Sequence, residues 1–138
     1  MDTQFWPYVR ERIPAVEEGW KANFSGLDRI NRLVSARGGK LVVGVIEPFP
    51  LPYGNWAMQR AIRATYPGAK QVSLDLALAR TRLRTYTSAH GLPLLDVTEA
   101  LNGCGGSDHY YPADEHFNDV GHQCLAGYLD AHRDELFP

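Results

Sequence analysis

Apolar residues recur at helical spacing in two stretches near the start of the chain. The first stretch, residues 3–20, predicts an amphipathic helix that Pro14 should kink or divide. The second predicts another helix, because Ser25 and Asp28 resemble a capping box and a pair of glycines ends the pattern. The apolar positions are Phe5, Val9, Ile13, Val16 and Trp20 in the first helix and Leu27, Ile30, Leu33 and Val34 in the second.

The pattern then changes to a continuous, largely β-branched apolar run over residues 41–46. Such a run predicts a strand that is buried on both faces, as in a parallel sheet covered by helices. A proline-rich segment ends this strand, and residues 93–97 form a second short strand pattern. Because a strand of this kind needs neighbours on both sides, the two strands predict part of a larger α/β sheet.

Four further helical patterns complete the predicted order of elements. Gly91 is a stop signal for the longest of them, and Thr98 is a candidate cap for the shortest. The arginines at positions 80, 82 and 84 are expected on one solvated helix face. Without the short turn at 98–101, the order is helix, helix, strand, helix, helix, strand, loop, helix, which predicts a single α/β domain over residues 1–138. The four patterns cover residues 55–66, 74–90, 98–101 and 119–133.

Composition narrows the class of protein without identifying its chemistry. Hydrophobic residues make up 44% of the 138 positions and charged residues 22%, which is typical of a globular domain. The net charge of -2 gives no electrostatic reason to expect nucleic acid. No apolar run is long enough to span a bilayer, and the first residues lack the pattern of an export signal, which leaves the compartment open. Cys104 and Cys124 either pair or remain buried thiols.

The candidate chemistry lies in residues 110–122, a loop that leads into the last predicted helix. Asp114 stands two positions before His116, and a carboxylate beside an imidazole fixes its tautomer and stabilises its protonated form. Pro112 stiffens the start of the loop, and Asn118 is a plausible N-cap for the helix. The pair is therefore a candidate general base, although such pairs also occur in ordinary solvated turns.

A metal site is the alternative for the same segment. His109, Asp114, His116 and His122 are of residue types that bind zinc or iron. Their spacing matches neither the i, i+4 histidine pair of a helical zinc site nor a paired-cysteine motif. The metal interpretation is therefore the weaker of the two.

Several segments taken together resemble the carboxyl-terminal half of the SGNH hydrolases, also called GDSL-type esterases. The likeness covers roughly residues 20 to 132 and includes the strand at 41–46 and the segment at 90–97. Its specific part is the block at 110–122. The last block of the family has an Asp and a His a few residues apart, followed by an Asn and then a Gly-His that opens the final helix.

This resemblance implies a partial flavodoxin-like three-layer α/β/α sandwich whose amino-terminal strands are missing. It implies hydrolysis or transfer of an acyl ester, of a small molecule or a carbohydrate, through a serine nucleophile and without a cofactor. Asp114 would orient the imidazole, and His116 would be the general base. Asn118, Gly121 and His122 match the same block, and we expect them to cap and pack the final helix.

The sequence departs from the family at the nucleophile. The Gly-Asp-Ser motif and the Gly and Asn of the oxyanion hole have no match, and Ser107, the only candidate by position, lacks a strand-to-helix elbow. We therefore expect a chain that starts after the first half of the domain and has little esterase activity alone. Its expected partner is a complementary amino-terminal half. The alternative function is a non-catalytic α/β binding or assembly module.

Overall fold

Two short parallel strands and a larger set of helices make up the part of the chain that the computed structural model describes. That part is residues 5–46, 54–104, 109–111 and 116–136, with the backbone alone for 54–58. The fold is mixed α/β and mostly helical. The helices are α1 (Pro14–Ser35), α2 (Gly54–Thr65), α3 (Leu78–Ala89), α4 (Val97–Gly103), α5 (Asp119–Ala131) and α6 (Arg133–Leu136); the strands are β1 (Val43–Val45) and β2 (Leu94–Asp96); the 3₁₀ helices are Trp6–Tyr8 and Pro67–Gln71.

Helix α1 is one continuous helix where the sequence pattern predicts two. Pro14 divides the first predicted helix, one of its two expected effects: Trp6–Tyr8 form a separate 3₁₀ helix and Pro14 begins α1. A proline in the first turn is tolerated because it lacks only an N–H that would have no helical partner there. Ser25 and Asp28 lie inside α1, so the predicted cap at Ser25 is wrong. The predicted glycine stop is confirmed: Gly38 has a φ of 73°, which disfavours other residues.

The two strands pair in parallel, as predicted, with Val43 opposite Leu94 and Val45 opposite Asp96. The prediction that the first strand is buried on both faces is wrong. Val43 and Val45 are buried, whereas Gly44 between them is exposed and Ile46 beyond them keeps 59% of its surface exposed. Within the described ranges β2 is the only strand that pairs with β1, so one edge of β1 carries no sheet partner there.

Among the residues that the structure describes, many of the buried apolar side chains form two separate clusters. The amino-terminal core joins the first 3₁₀ helix to α2 and to the segment before α3, and an antiparallel bridge between Val9 and Leu74 closes it. The carboxyl-terminal core lies between α4 and α5. Its members are Val97, Leu101 and Cys124, with Leu95, Tyr110, Phe117 and Leu125 packed against them. The first core consists of Phe5, Tyr8, Val9, Ile62, Ala69, Leu74 and Leu76.

The ends of α3 and α4 refine the predicted boundaries. Helix α3 starts at Leu78, four residues later than predicted, and Gly91 follows it with a φ of 61°, which confirms the predicted stop. The cap of α4 is Asp96 and not Thr98, because the helix follows β2 directly and the Asp96 carboxylate accepts a hydrogen bond from the Glu99 N–H at 3.3 Å.

A disulfide joins the carboxyl-terminal core to the end of α4. Cys104 and Cys124 are bonded, with 5.9 Å between their Cα atoms, which decides between the two states that the sequence left open. The Cys124 sulfur also lies 3.4 Å from the carbonyl oxygen of Ala100. Among the helices that the structure describes, none has the length and apolarity needed to cross a bilayer.

Candidate functional site

Two short backbone segments run side by side just before α5. An antiparallel bridge joins Tyr110 to Phe117, the Tyr111 N–H donates to the carbonyl oxygen of His116 at 3.1 Å, and the Asn118 N–H donates to that of His109 at 3.1 Å. We call residues 109–111 and 116–118 the paired legs. The legs hold residue 116 at a fixed backbone position at the start of the second segment.

The Asn118 side chain ties the paired legs to the helix. Its Oδ1 accepts a hydrogen bond from the Gly121 N–H at 2.9 Å, and its Nδ2 donates to the carbonyl oxygen of Tyr110 at 3.2 Å. The first bond is the N-cap that the sequence predicted, since it pairs one of the N–H groups left without a partner at the start of a helix. The second bond joins the cap to the opposite leg.

Gly121 lets the first turn of α5 approach the first leg closely. A Cβ added at this buried position would clash with the backbone carbonyl oxygen of His109 and crowd the Phe117 side chain. His122, the next residue, packs its ring edge against Phe117, with 5.8 Å between the ring centroids. These contacts agree with the packing role expected for both residues.

His116, the candidate base, is exposed on the second leg. Its predicted companion Asp114 lies outside the described residues, as do Pro112 and Ser107, the one serine that its position makes a candidate nucleophile. The structure therefore gives the position of the imidazole-bearing residue, and the Asp114–His116 pair remains a prediction from the sequence.

The paired legs pack beside the segment that leaves the carboxyl end of β2. Tyr110 and Phe117 lie against the carboxyl-terminal core, which includes Val97, the residue directly after that strand end. In α/β folds with parallel strands, ligands bind outside the carboxyl ends of the strands. His116 thus belongs to a segment anchored beside the part of the fold where chemistry is expected.

The histidines of the metal alternative occupy different environments. His109 is buried, whereas His116 and His122 are exposed. Across the described ranges, which leave out Asp114, no three His, Cys, Asp or Glu side chains gather as a metal site would require.

A second carboxylate–histidine group lies at the opposite end of β2. The Tyr86 hydroxyl donates to Asp28 at 2.5 Å, and the His90 Nε2 is 3.8 Å from the same carboxylate oxygen. Burial, followed by this hydrogen bond, raises the pKa of Tyr86 to about 12. Because His90 precedes the start of β2, this group lies at the amino end of the strand, and it links α1 to α3.

Sequence reasoning missed a polar pocket of about 790 Å³ between α3 and α4. The buried Asp96 carboxylate accepts a hydrogen bond from the Arg84 Nη2 at 2.9 Å and lies 3.8 Å from the Arg80 Nε. The expectation of one solvated arginine face is therefore wrong. Arg82 points elsewhere, donating to Glu17 at 2.6 Å. The signal available in the sequence was the i, i+4 spacing of Arg80 and Arg84 ahead of an aspartate at a strand end.

Comparison of the chain with protein-family models gives no match, and comparisons with curated proteins and with solved structures give none either.

Proposed function

We propose that this chain is the carboxyl-terminal part of an SGNH-type enzyme that hydrolyses or transfers acyl esters. In this proposal the two strands belong to a flavodoxin-like α/β/α sandwich, and His116 and Asp114 are two members of a Ser-His-Asp triad. The observation that carries it is the backbone support of His116. The paired legs, the Asn118 cap and the close contact at Gly121 all constrain the segment that bears this imidazole.

His116 would act as the general base of the reaction. It takes the proton of the serine hydroxyl as the serine oxygen attacks the acyl carbon, and it returns that proton to the departing alcohol oxygen. In the second half-reaction it takes a proton from water, or from an acceptor alcohol, and returns it to the serine. Asp114 would hold the ring in the required tautomer and stabilise the protonated imidazole. Support for this role is that His116 is exposed and that Phe117, the next residue, packs against the core containing Val97, which follows β2.

The nucleophile would come from a complementary amino-terminal segment that also completes the sheet. The edge of β1 favours such a partner, because within the described ranges β1 pairs with β2 alone and its apolar neighbour Ile46 is 59% exposed. Unpaired strand edges and exposed apolar side chains are where an added strand binds. A parallel strand followed by a Gly-Asp-Ser turn would place the serine at the same rim as the paired legs.

Complementation tests this proposal. The chain is mixed with a candidate amino-terminal half that carries Gly-Asp-Ser, binding is confirmed by gel filtration, and p-nitrophenyl acetate hydrolysis is measured. We expect hydrolysis well above that of either half alone, and a loss of at least about 1,000-fold for His116→Ala. His122→Ala, a histidine of the same segment outside the proposed triad, is the matched control and should keep most of the activity. A stable complex without any rise in hydrolysis would eliminate the proposed enzyme.

The second candidate is a non-catalytic α/β module that binds a partner through the same edge of β1. The exposed Ile46 and the pairing of β1 with β2 alone within the described part of the chain favour it equally. The complementation experiment separates the two functions, since a binding module gives a complex whose affinity is unchanged by His116→Ala and whose ester hydrolysis stays at background.

A further inference from the structure

A shallow pocket of about 460 Å³ lies against the amino-terminal core, away from the paired legs. It is formed by α2, the 3₁₀ helix Pro67–Gln71 and the segment that follows it. We call it the basic pocket. Its polar lining comes from Arg10, Gln59, Arg63, Lys70, Gln71 and Ser73, which include three cations and no carboxylate.

The backbone fixes the orientation of Arg63 in this pocket. One terminal nitrogen of its guanidinium, Nη1, donates to the carbonyl oxygen of Ala69 at 2.6 Å, and the other, Nη2, donates to that of Val72 at 3.0 Å. A guanidinium has five N–H donors, so these two bonds leave three for other acceptors. The half-buried side chain is thus held in one geometry before any ligand arrives, and a fixed donor group loses little entropy on binding.

The cations around the basic pocket differ in whether a described carboxylate pairs with them. Arg10 lies 3.2 Å from Asp75, whereas Arg63 and Lys70 form no salt bridge with a residue that the structure describes. The other nearby acid, Glu11, accepts hydrogen bonds from the Ser73 N–H at 2.8 and 3.1 Å. That backbone N–H holds the pKa of Glu11 below its usual value. Two cations therefore remain without a described carboxylate partner.

The pocket between α3 and α4 allows a comparison, within the same molecule, of how cations are paired with carboxylates. There Arg80 and Arg84 face Asp96, and Glu99 lies 3.6 Å from Arg84, so two cations meet two carboxylates. An anion entering that pocket would have to displace a carboxylate that is already bonded. In the basic pocket the donors of Arg63 and Lys70 are available without such a displacement.

We propose that the basic pocket binds the phosphoryl group of a small molecule. Arg63 would bind two of its oxygens through its planar donor fork, and Lys70 would add a second charge at the rim. Arg10, Gln71 and Ser73 also line the pocket, and their side chains carry further donors for the remaining oxygens. This site is independent of the ester chemistry proposed above, since none of its residues belongs to the paired legs.

Titration with inorganic phosphate, followed by the backbone amide signals in NMR at constant ionic strength, tests the site. We expect saturable shifts centred on residues 70–73, and phosphate affinity at least about tenfold lower in Arg63→Gln. Lys70→Gln should weaken binding about threefold without affecting the fold, because Lys70 is exposed. Arg60→Gln, which removes an exposed arginine of the same helix outside the pocket, is the matched control and should bind as the unchanged chain does.

Three results would overturn this proposal. One is the absence of saturable shifts up to roughly 10 mM phosphate, an affinity too weak for a built site. Another is unchanged phosphate binding in Lys70→Gln together with Arg63→Gln when both variants retain the wild-type spectrum elsewhere. The third is an equal response to acetate at the same concentration, which would show that the pocket does not favour the doubly charged phosphoryl group.

Discussion

The carboxyl-terminal part of the chain and helix α1 differ in burial and in the contacts that hold them in place. The paired legs and α5 are fixed by a side-chain cap, a close glycine contact and a disulfide. Helix α1 is 22 residues long and has no buried residue, and its side chains Ile30 and Leu33 are about half exposed. The difference teaches that contacts within the described residues hold the segment that bears the candidate base, whereas part of the apolar surface of α1 stays exposed.

Several contacts between α1 and other described residues lie on one face of the helix. Phe24 stacks on Tyr86 with 4.4 Å between ring centroids, Arg82 of α3 binds Glu17, and the Arg82 guanidinium lies 5.6 Å from the Trp20 ring. These are aromatic and charged contacts in place of a dry core. Since most helical stability in proteins comes from packing an apolar face, α1 is expected to be the less stable of the two regions.

Among the changes that test this comparison, removal of the disulfide should lower the free energy of unfolding the most. Cys104 and Cys124 close a loop with a sequence separation of 20, for which chain entropy predicts a stabilisation of about 3 kcal/mol. We expect urea denaturation to show that loss on adding a reductant. A Cys104→Ser, Cys124→Ser variant is the control, because it should be equally destabilised and insensitive to the reductant. Equal stability with and without the bond would contradict the account of a constrained carboxyl-terminal region.

Substitution Gly121→Ala is expected to cost about 2 kcal/mol, because the new methyl group would clash with a backbone carbonyl that cannot easily move. Gly127→Ala in the same helix is a matched control, since nothing lies within 4 Å of a Cβ added there. That control should be stabilised by up to about 1 kcal/mol through helix propensity. Urea denaturation of both variants measures the difference, and similar values for the two would show that the contact at Gly121 is unimportant.

The attachment of α1 through Tyr86 should depend on pH. The pKa of Tyr86 is raised to about 12 by burial and by its hydrogen bond to Asp28, so the fold favours the neutral phenol. The stabilisation of the fold by the raised pKa of Tyr86 is complete below pH 10, the ordinary pKa of tyrosine, and is lost as the pH rises through about 12. Tyr86→Phe should cost about 1 kcal/mol at neutral pH and lack that dependence. Thermal unfolding from about pH 8 to about pH 12, which spans the pKa of a free tyrosine and that of Tyr86 in the fold, measures it. An equal decline in Tyr86→Phe would assign the pH dependence to another group.

The smallest change in stability is expected for substitutions on the exposed face of α1, which carries Ile30 and Leu33. Replacing Ile30 and Leu33 by glutamine should change the stability of the isolated chain by less than about 0.5 kcal/mol each, because half-exposed side chains gain little from the folded state. Phe24→Ala on the opposite face is the comparison and should cost more, since it removes the stack on Tyr86. A large loss of stability for Ile30→Gln or Leu33→Gln would show that this face is covered after all.

Local sequence signals predicted the N-cap beside the candidate site and several features elsewhere in the fold. The Asn118 cap and the Gly91 stop follow from residue types whose preferred backbone is known, and the parallel strands follow from two short apolar runs. Pro14 does divide the predicted helix over residues 3–20, but the sequence did not show that it starts α1, because a proline that starts a helix and one that breaks it look alike in sequence.

The structural features that the sequence did not predict depend on tertiary contacts. The open face of β1 depends on strands that the local pattern can only imply, and the Cys104–Cys124 bond depends on how α4 and α5 pack. The basic pocket is lined by Arg10, which follows the first 3₁₀ helix, and by Arg63 of α2 and Lys70 of the second 3₁₀ helix. No motif joins residues so far apart in sequence, so only the fold brings these cations together.

One kinetic measurement tests the role of His116 most directly. In a complex of this chain with a Gly-Asp-Ser half, rapid mixing with p-nitrophenyl acetate should release p-nitrophenolate in a burst close to one equivalent per complex, as an acyl-enzyme forms. His116→Ala should abolish the burst, whereas His122→Ala should retain it. A full burst in the His116→Ala complex would contradict the assignment of the general base.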